Sequence, residues 1–562
     1  MSQEQNPATM ARACVSRRGF LAGTAGVSVA ALAGCTAGPK EESGDNGAAS
    51  SGARKVAIIH TNDTHGHDLL DDKSLGLAAV SQLVADWEQK GYEVLLFDAG
   101  DAVQGTNVVN RSKGDNAIMF MTNVGYDAMA LGNHEFDYGL SKIADYATAA
   151  SFPLLAANVI VEETGKTLVE PHTIITLGDG RKVGVFGLVT PETFTKSNPI
   201  FVKGLVFHQG DKLYSCAQEQ VDALRKENCD LVVCLGHLGE HEASAPNRAQ
   251  DVVAHANGID LFIDGHDHKE EGQVLIDASG NETLVVEADC HTHMVGIVTW
   301  ENGKLEKQLV RFGEYDGQDP EIAAIVKREV DSIEEELGQV VATTDFELNG
   351  NTVPGLRTEE TNLGDLVADA VLWEGQMRAE DVPDIAIVNG GTIRSSVPAG
   401  DITLGQITAM LPFINYVCTV QVTGAQLLEA LEASCSETPE ELGGFPQVAG
   451  ITLAVNAQVP FEKGEMYSAS TYYQPAKPGS RVTIQNVNGS PFDENATYTI
   501  ATSDFISAGG DTYHAFMEPS RDTMKGTDSL LSDALHQFLT DACGGTVPHE
   551  YEQPQGRIVI TT

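Results

Sequence analysis

Gly132-Asn133-His134-Glu135-Phe136-Asp137 follows an apolar run, Ala128 to Leu131, that reads as the end of a buried strand. The stretch offers an amide oxygen, an imidazole and two carboxylates between Asn133 and Asp137. Four other segments are built the same way: Asn62-Asp63-Thr64-His65, Asp98-Ala99-Gly100-Asp101, Gly236-His237 and Gly265-His266-Asp267-His268. Each follows an apolar run. Between these runs lie stretches of helical periodicity, such as Leu77 to Lys90, which stops at Gly91. Alternating strands and helices imply an α/β layered core whose strands are covered on both faces. Ligands in such folds gather where strands end, so loops at the ends of parallel strands would bring the five segments together.

Together these segments suit two divalent ions. Asp63 and His65, or His266 and His268, each place two donors near one ion or an adjacent pair. The expected first site is Asp63, His65, Asp101 and His268. The second is Asp101, Asn133, His237 and His266, with the Asp101 carboxylate bridging. Mixed imidazole and oxygen donors favour Mn, Zn, Fe or Co over Ca or Mg alone. Two ions about 3.5–4 Å apart can activate a bridging hydroxide and stabilise an in-line displacement. His134 is left out of the ligand set: it can face the substrate, with Asp137 accepting from its other ring nitrogen. That dyad would stabilise phosphoryl charge or protonate the leaving oxygen. Glu135 is expected to be structural. His60 is expected in a strand core.

The chain has 562 residues, too many for one core, so two large domains are expected. A formal charge of −45 argues against a nucleic-acid-binding surface, because a polyanion needs a basic one. The nine cysteines form no dense framework, and Cys216, Cys229, Cys234, Cys290, Cys418 and Cys543 read as small buried hydrophobes. Cys435 is set apart from that reading, and no pairing can be deduced.

The first 35 residues are an address. Ser16-Arg17-Arg18-Gly19-Phe20-Leu21 is a twin-arginine pattern, and Leu32-Ala33-Gly34-Cys35 is similar to a bacterial lipobox. The resemblance implies cleavage before Cys35 and a lipid anchor on its thiol, hence an exported protein at a bacterial cell surface or in the periplasm. Residues 36–54 read as a flexible tether. A first domain is expected over 55–312 and a linker helix over 313–339, opened by Asp319-Pro320 and carrying the stripe Ile322, Val326, Val330, Ile333 and Leu337. A peripheral helix of the first domain is the alternative. A second domain is expected over 340–562. There Asn362, with Asp365 three residues on, is expected to cap a helix, and Thr423-Gly424-Ala425-Gln426 reads as a capping box.

The five segments resemble those of the calcineurin-like metallophosphoesterases, and the strings His60 to His65 and Leu131 to Asp137 resemble that group's 5′-nucleotidase branch. His268 stands where some relatives carry Gln or Asn. The resemblance implies a four-layer α/β/β/α first domain.

The second domain offers a different set. Asn389-Gly390-Gly391-Thr392-Ile393-Arg394 follows a strand, and Arg394 offers a fork for phosphate or carboxylate. Phe413 and Phe505 lie on separate loops and can sandwich a planar base, and Asp511 can accept from sugar hydroxyls. These strings, with Phe445 to Gly450, resemble the 5′-nucleotidase C-terminal α/β domain. The resemblance implies that Phe413 and Phe505 stack the base, Asp511 binds ribose, Arg357 and Arg394 hold phosphate, and Asn389 and Asn415 line the pocket. It also implies relative motion of the two domains.

The expected function is hydrolysis of nucleoside 5′-monophosphates, with di- and triphosphates as further substrates, using two divalent ions (Mn, Zn, Co or Mg). The alternatives are UDP-sugar hydrolysis, 2′,3′-cyclic-nucleotide phosphodiesterase and 3′-nucleotidase activity, thiosulfonate cleavage (against which the aromatic pair argues), a nucleotide-capturing surface lipoprotein, and an adhesin or structural surface protein.

Overall fold

The computed structural model describes residues 55–561 apart from residue 469. The expected signal segment, Cys35 and the tether lie outside the described residues. No described helix is long and apolar enough to cross a membrane.

The N-terminal half is built on two six-stranded sheets. In the first, Val56–Thr61, Glu93–Asp98, Ala128–Ala130 and Leu154–Leu155 run parallel, and Met294–Glu301 and Lys304–Arg311 extend it antiparallel. In the second, Lys182–Val189, Leu231–His237, Leu261–Ile263 and Glu282–Ala288 run parallel, with antiparallel strands at both edges. Val56, Ile58, Leu95 and Phe97 of one sheet meet Val183, Val185, Val233 and Leu235 of the other in one apolar cluster. The alternate residues point outward. Ala57, Ile59 and Leu96 pack under Leu77–Gln89 and Asp115–Val124. Phe186, Val232 and Cys234 pack under Asp211–Lys226 and Ala249–His255. The layers are therefore α/β/β/α, and both faces of every central strand are covered, which explains the continuous apolar runs.

The helix Pro320–Leu337 starts at its proline. Ile322 and Val326 are buried in the N-terminal core, with Val330 and Ile333 packed against it, while the helix also touches Leu404–Met410 of the C-terminal half. It is thus both an outer-layer helix of the first half and a bridge to the second.

The C-terminal half has a five-stranded mixed sheet, in the order Pro446–Ala449, Ile385–Asn389, Thr497–Ser503, Tyr416–Thr423, Lys525–Leu530. The Thr423 capping box forms, with reciprocal bonds between Thr423 and Gln426. The expected cap at Asn362 does not. Thr361 is the cap, accepting from the Gly364 amide, and Asn362 is the first helical residue. The Asn362 amide instead bonds the Glu347 and Tyr551 carbonyls, tying the helix start to two distant segments. Cys435 is as buried as the other core cysteines, and the described cysteines are all free thiols.

Candidate active site

Each of the five motif segments lies at the carboxyl end of a strand within the parallel runs, and the two sheets point these ends at one cleft. Asp63, His65, Asp101, His266 and His268 all hold positive φ, between 46° and 95°. For residues other than glycine this backbone is strained, and it persists here because the surrounding loops over-determine it. Gly132 shows how close the loops run: a Cβ there would collide with the Asp101 carboxylate.

Donor atoms of Asp63, His65 and His268 lie within 4.8 Å of one another, as do those of Asp101, His237 and His266, and those of His65, Asp101 and His134. His65 Nε2 is 3.2 Å from His268 Nε2, and His237 Nε2 is 3.0 Å from Asp101 Oδ2. The rings are oriented from behind. His65 Nδ1 lies 2.9 Å from the Gln104 carbonyl and His237 Nδ1 2.8 Å from the Ala99 carbonyl, so each donates there and turns Nε2 to the cleft. Asn133 is buried, and its Oδ1 has no hydrogen-bond partner. A buried orphan oxygen beside converging imidazoles and carboxylates fits a cation. Burial opposes ionisation of Asp101, yet His237 and His134 hold its carboxyl well below the usual range, while Asp101 and Asp63 hold His237 protonated against burial. A metal ion would replace that shared proton.

His134 stands to one side. Its Nδ1 is 2.6 Å from Asp137 Oδ2 and its Nε2 is 4.0 Å from Asp101 Oδ2. Burial lowers its basicity, but Asp137 and Asp101 outweigh this and raise it. Glu135 faces away from the cleft and accepts from the amides of Asp101, Ala102, Val103 and Gly132. One carboxylate therefore clamps two of the donor loops together.

The C-terminal half closes the other side. One cavity of about 1040 Å³ is lined by His65, Asp101, Asn133, His134, Asp137, His266 and His268, and by Arg357, Asn389, Arg394, Phe413, Asn415, Phe505 and Asp511. Of the other motif donors, Asp63 and His237 are fully buried behind this lining. Phe413 stacks on His134, with ring centroids 5.8 Å apart and planes 21° apart, and the Arg394 guanidinium lies 5.9 Å from the Phe413 centroid. Phe505 is the more buried ring and belongs to a core cluster. Burial and the neighbouring Arg357 lower the Arg394 pKa to about 10, and the buried Arg357 Nε has no partner. Two guanidinium groups that repel each other across a cavity form a place for an anion. Asn389 Nδ2 donates to Asp511 Oδ2 at 2.7 Å, and Thr392 donates to Asn389 Oδ1.

Several groups at the cleft carry no recognisable motif. Glu192 Oε2 lies 3.2 Å from His266 Nε2, and the pair draws the Glu192 pKa down to about 2 despite burial. The Thr195 carbonyl accepts from the Asp511 amide at 2.7 Å, and Lys196 Nζ lies 4.0 Å from Asp511. Tyr472 and a histidine group at 291–293 complete the wall. The signal that locates Glu192 and His291 at the cleft is position. They follow Lys182–Val189 and Glu282–Ala288, whose carboxyl ends face the same cleft.

The layered fold and the donor set define a two-domain, metal-dependent phosphoesterase. Residues 56–270 match the calcineurin-like phosphoesterase model and residues 340–518 the 5′-nucleotidase C-terminal domain model. The chain belongs to the 5′-nucleotidase family. It is 32% identical over 515 residues, 83% of its length, to the trifunctional nucleotide phosphoesterase protein of Bacillus subtilis (strain 168), and spans 32% of that longer relative. It is 29% identical over 533 residues to a 5′-nucleotidase of Vibrio cholerae serotype O1, covering 86% of this chain and 89% of that one. The crystal structure of a 5′-nucleotidase precursor from Thermus thermophilus superposes with a TM-score of 0.74 at 28% identity, covering 90% of this chain and 99% of that one.

Proposed function

We propose that the chain is an exported phosphohydrolase that converts nucleoside 5′-monophosphates to nucleoside and phosphate with two divalent ions. The observation that carries this reading is the shared cavity in which the metal-type donors face the Arg357/Arg394 pair and the Phe413 ring. Asp63, His65, Asp101 and His268 would hold one ion, and Asp101, Asn133, His237 and His266 the other. Bound there, the ions would supply a nucleophile from water and take up charge on the transferring phosphoryl oxygens. His134, kept charged by Asp137, donates a hydrogen bond to the developing phosphoryl charge. Arg357 and Arg394 bind phosphate oxygens, Phe413 and Phe505 stack the base, Asn415 lines the pocket, and Asp511, oriented by Asn389, accepts from ribose hydroxyls. Export and a lipid anchor at Cys35 are supported by the twin-arginine and lipobox patterns.

A wider substrate range is the second reading. The Bacillus subtilis relative is named trifunctional, and Lys196 and Tyr472 also line the cavity. The deciding experiment is phosphate release from AMP, other 5′-mononucleotides, ATP, UDP-glucose, 2′,3′-cyclic AMP and an aryl phosphate, after chelation and re-addition of Mn, Zn, Co or Mg. A clear preference for AMP over the aryl phosphate is expected. Equal rates on the two would sink the nucleotide pocket, and activity untouched by chelation would sink the metal assignment.

A further inference from the structure

The loop Asp289-Cys290-His291-Thr292-His293 follows the strand Glu282–Ala288, so it enters the cleft from the same side as the motif loops. Donor atoms of Asp289, Cys290 and His293 lie within 4.8 Å of one another, and His293 Nδ1 is 3.1 Å from Asp289 Oδ2. The loop is held rigidly. Asn62 Nδ2 donates to the Asp289 carbonyl at 2.6 Å, and the His291 amide donates to the Asp63 carbonyl at 2.8 Å. Asp289, His291 and Thr292 all take positive φ, between 52° and 55°. Cys290 is 7% exposed, and among the described residues it is the cysteine that falls within reach of both carboxylate and imidazole donors.

We propose that Asp289, Cys290 and His293 form a third metal site, for a thiophilic divalent ion of the zinc class, beside the two-ion cleft. A carboxylate, a sulfur and an imidazole on a rigid loop suit a tetrahedral zinc-class ion, with water completing the shell. The surroundings supply the attraction. The carboxylates of Asp289, Asp63 and Glu287 act on Cys290 together, and their negative field draws a cation. On binding, the S–H bond breaks, its proton leaves to solvent, and the sulfur lone pair forms the bond to the ion with no change of oxidation state. His291 is not a donor in this set: its ring stacks on His67 at 4.2 Å, and His291 and His293 both line the cleft.

The two-ion donor set as assigned contains no sulfur, but Cys290 also lies within 4.8 Å of the His268 and His291 donors, so it is the dependence of a cobalt(II)–sulfur band on His293 that separates the sites. Full-length protein stripped with a chelator and titrated with cobalt(II) should develop a near-ultraviolet sulfur-to-cobalt charge-transfer band, saturating at one ion per chain. Cys290→Ser should abolish the band and leave the weaker visible absorption of nitrogen- and oxygen-bound cobalt. His293→Ala, on a half-buried ring whose loss does not threaten folding, should weaken the titration of the band at least tenfold. Cobalt saturation without the band, a band that survives Cys290→Ser, or a titration unchanged in His293→Ala would each overturn the site. Retention of the visible cobalt absorption keeps this result separate from the fate of the two-ion reading.

Discussion

His134 shows how one side chain is assigned a role by what surrounds it. It neighbours Asn133 in sequence, yet its Nδ1 is bonded to Asp137 and its ring lies under Phe413. This placement supports the proposed role of His134 on the substrate. His134→Ala is expected to lower kcat on AMP by about 10²–10⁴-fold, with bound metal unchanged by elemental analysis. Loss of metal together with activity would make it a ligand instead. Phe413 acts on a different term. Base stacking is worth about 1–3 kcal/mol, so Phe413→Ala should raise KM for AMP by about 5–150-fold. KM for an aryl phosphate should move much less, and steady-state kinetics on both substrates checks this.

Among the elements, the strand Val56–Thr61 is buried at every residue, with both faces covered and its carboxyl end feeding the cleft. It contains His60, whose pKa is pulled down to about 3 by burial. The folded state therefore holds fewer protons than the unfolded state between about pH 3 and the ordinary histidine value of about 6.5. Its stabilising contribution is complete above that window and is lost as pH falls through it, at up to about 1.4 kcal/mol per pH unit. His60→Leu should flatten the acid side of the stability profile, measured as urea midpoints from about pH 4 to 7. Parallel profiles for the two proteins would refute the assignment. At the other end of the chain, the helix Gly424–Ser434 relies on its capping box. Thr423→Ala should cost about 1 kcal/mol by thermal unfolding without altering kinetics.

For the whole molecule, the site is a product of two halves meeting. Asn107 Nδ2 donates to the Gly405 carbonyl at 3.0 Å, Asn198 Nδ2 to Asp504 at 3.2 Å, and Asp511 to the Thr195 carbonyl. These contacts hold Phe413 over His134 and complete the cavity. Metal binding should be felt as stability. With free metal at about a hundred times its Kd, a site present only in the folded state adds about 2.7 kcal/mol. Chelation should therefore lower the thermal midpoint of the N-terminal half, and re-addition of metal should restore it. A midpoint indifferent to chelator would argue against ions in the cleft.

The strands and helices were legible in the chain because burial on both faces demands continuous apolar runs, and helices demand the 3.6-residue period. The clustering of Asp63, Asp101, Asn133, His237 and His268 was legible too, because each follows such a run and parallel strands align their carboxyl ends. Other features needed the folded molecule. Thr361 and not Asn362 caps its helix: the Asn362 Oδ1 accepts from the Asn349 amide instead, and its Nδ2 donates to the Glu347 and Tyr551 carbonyls. Glu192, Lys196 and the loop at 289–293 carry no motif: Glu192 and the loop are placed by the strands they follow, and Lys196 meets Asp511 only through domain docking. The order of residues is enough to name the candidate donors and the layers. Which donors converge, and that the second half brings its arginines and Phe413 against them, is settled by packing, because those distances depend on contacts between residues hundreds of positions apart.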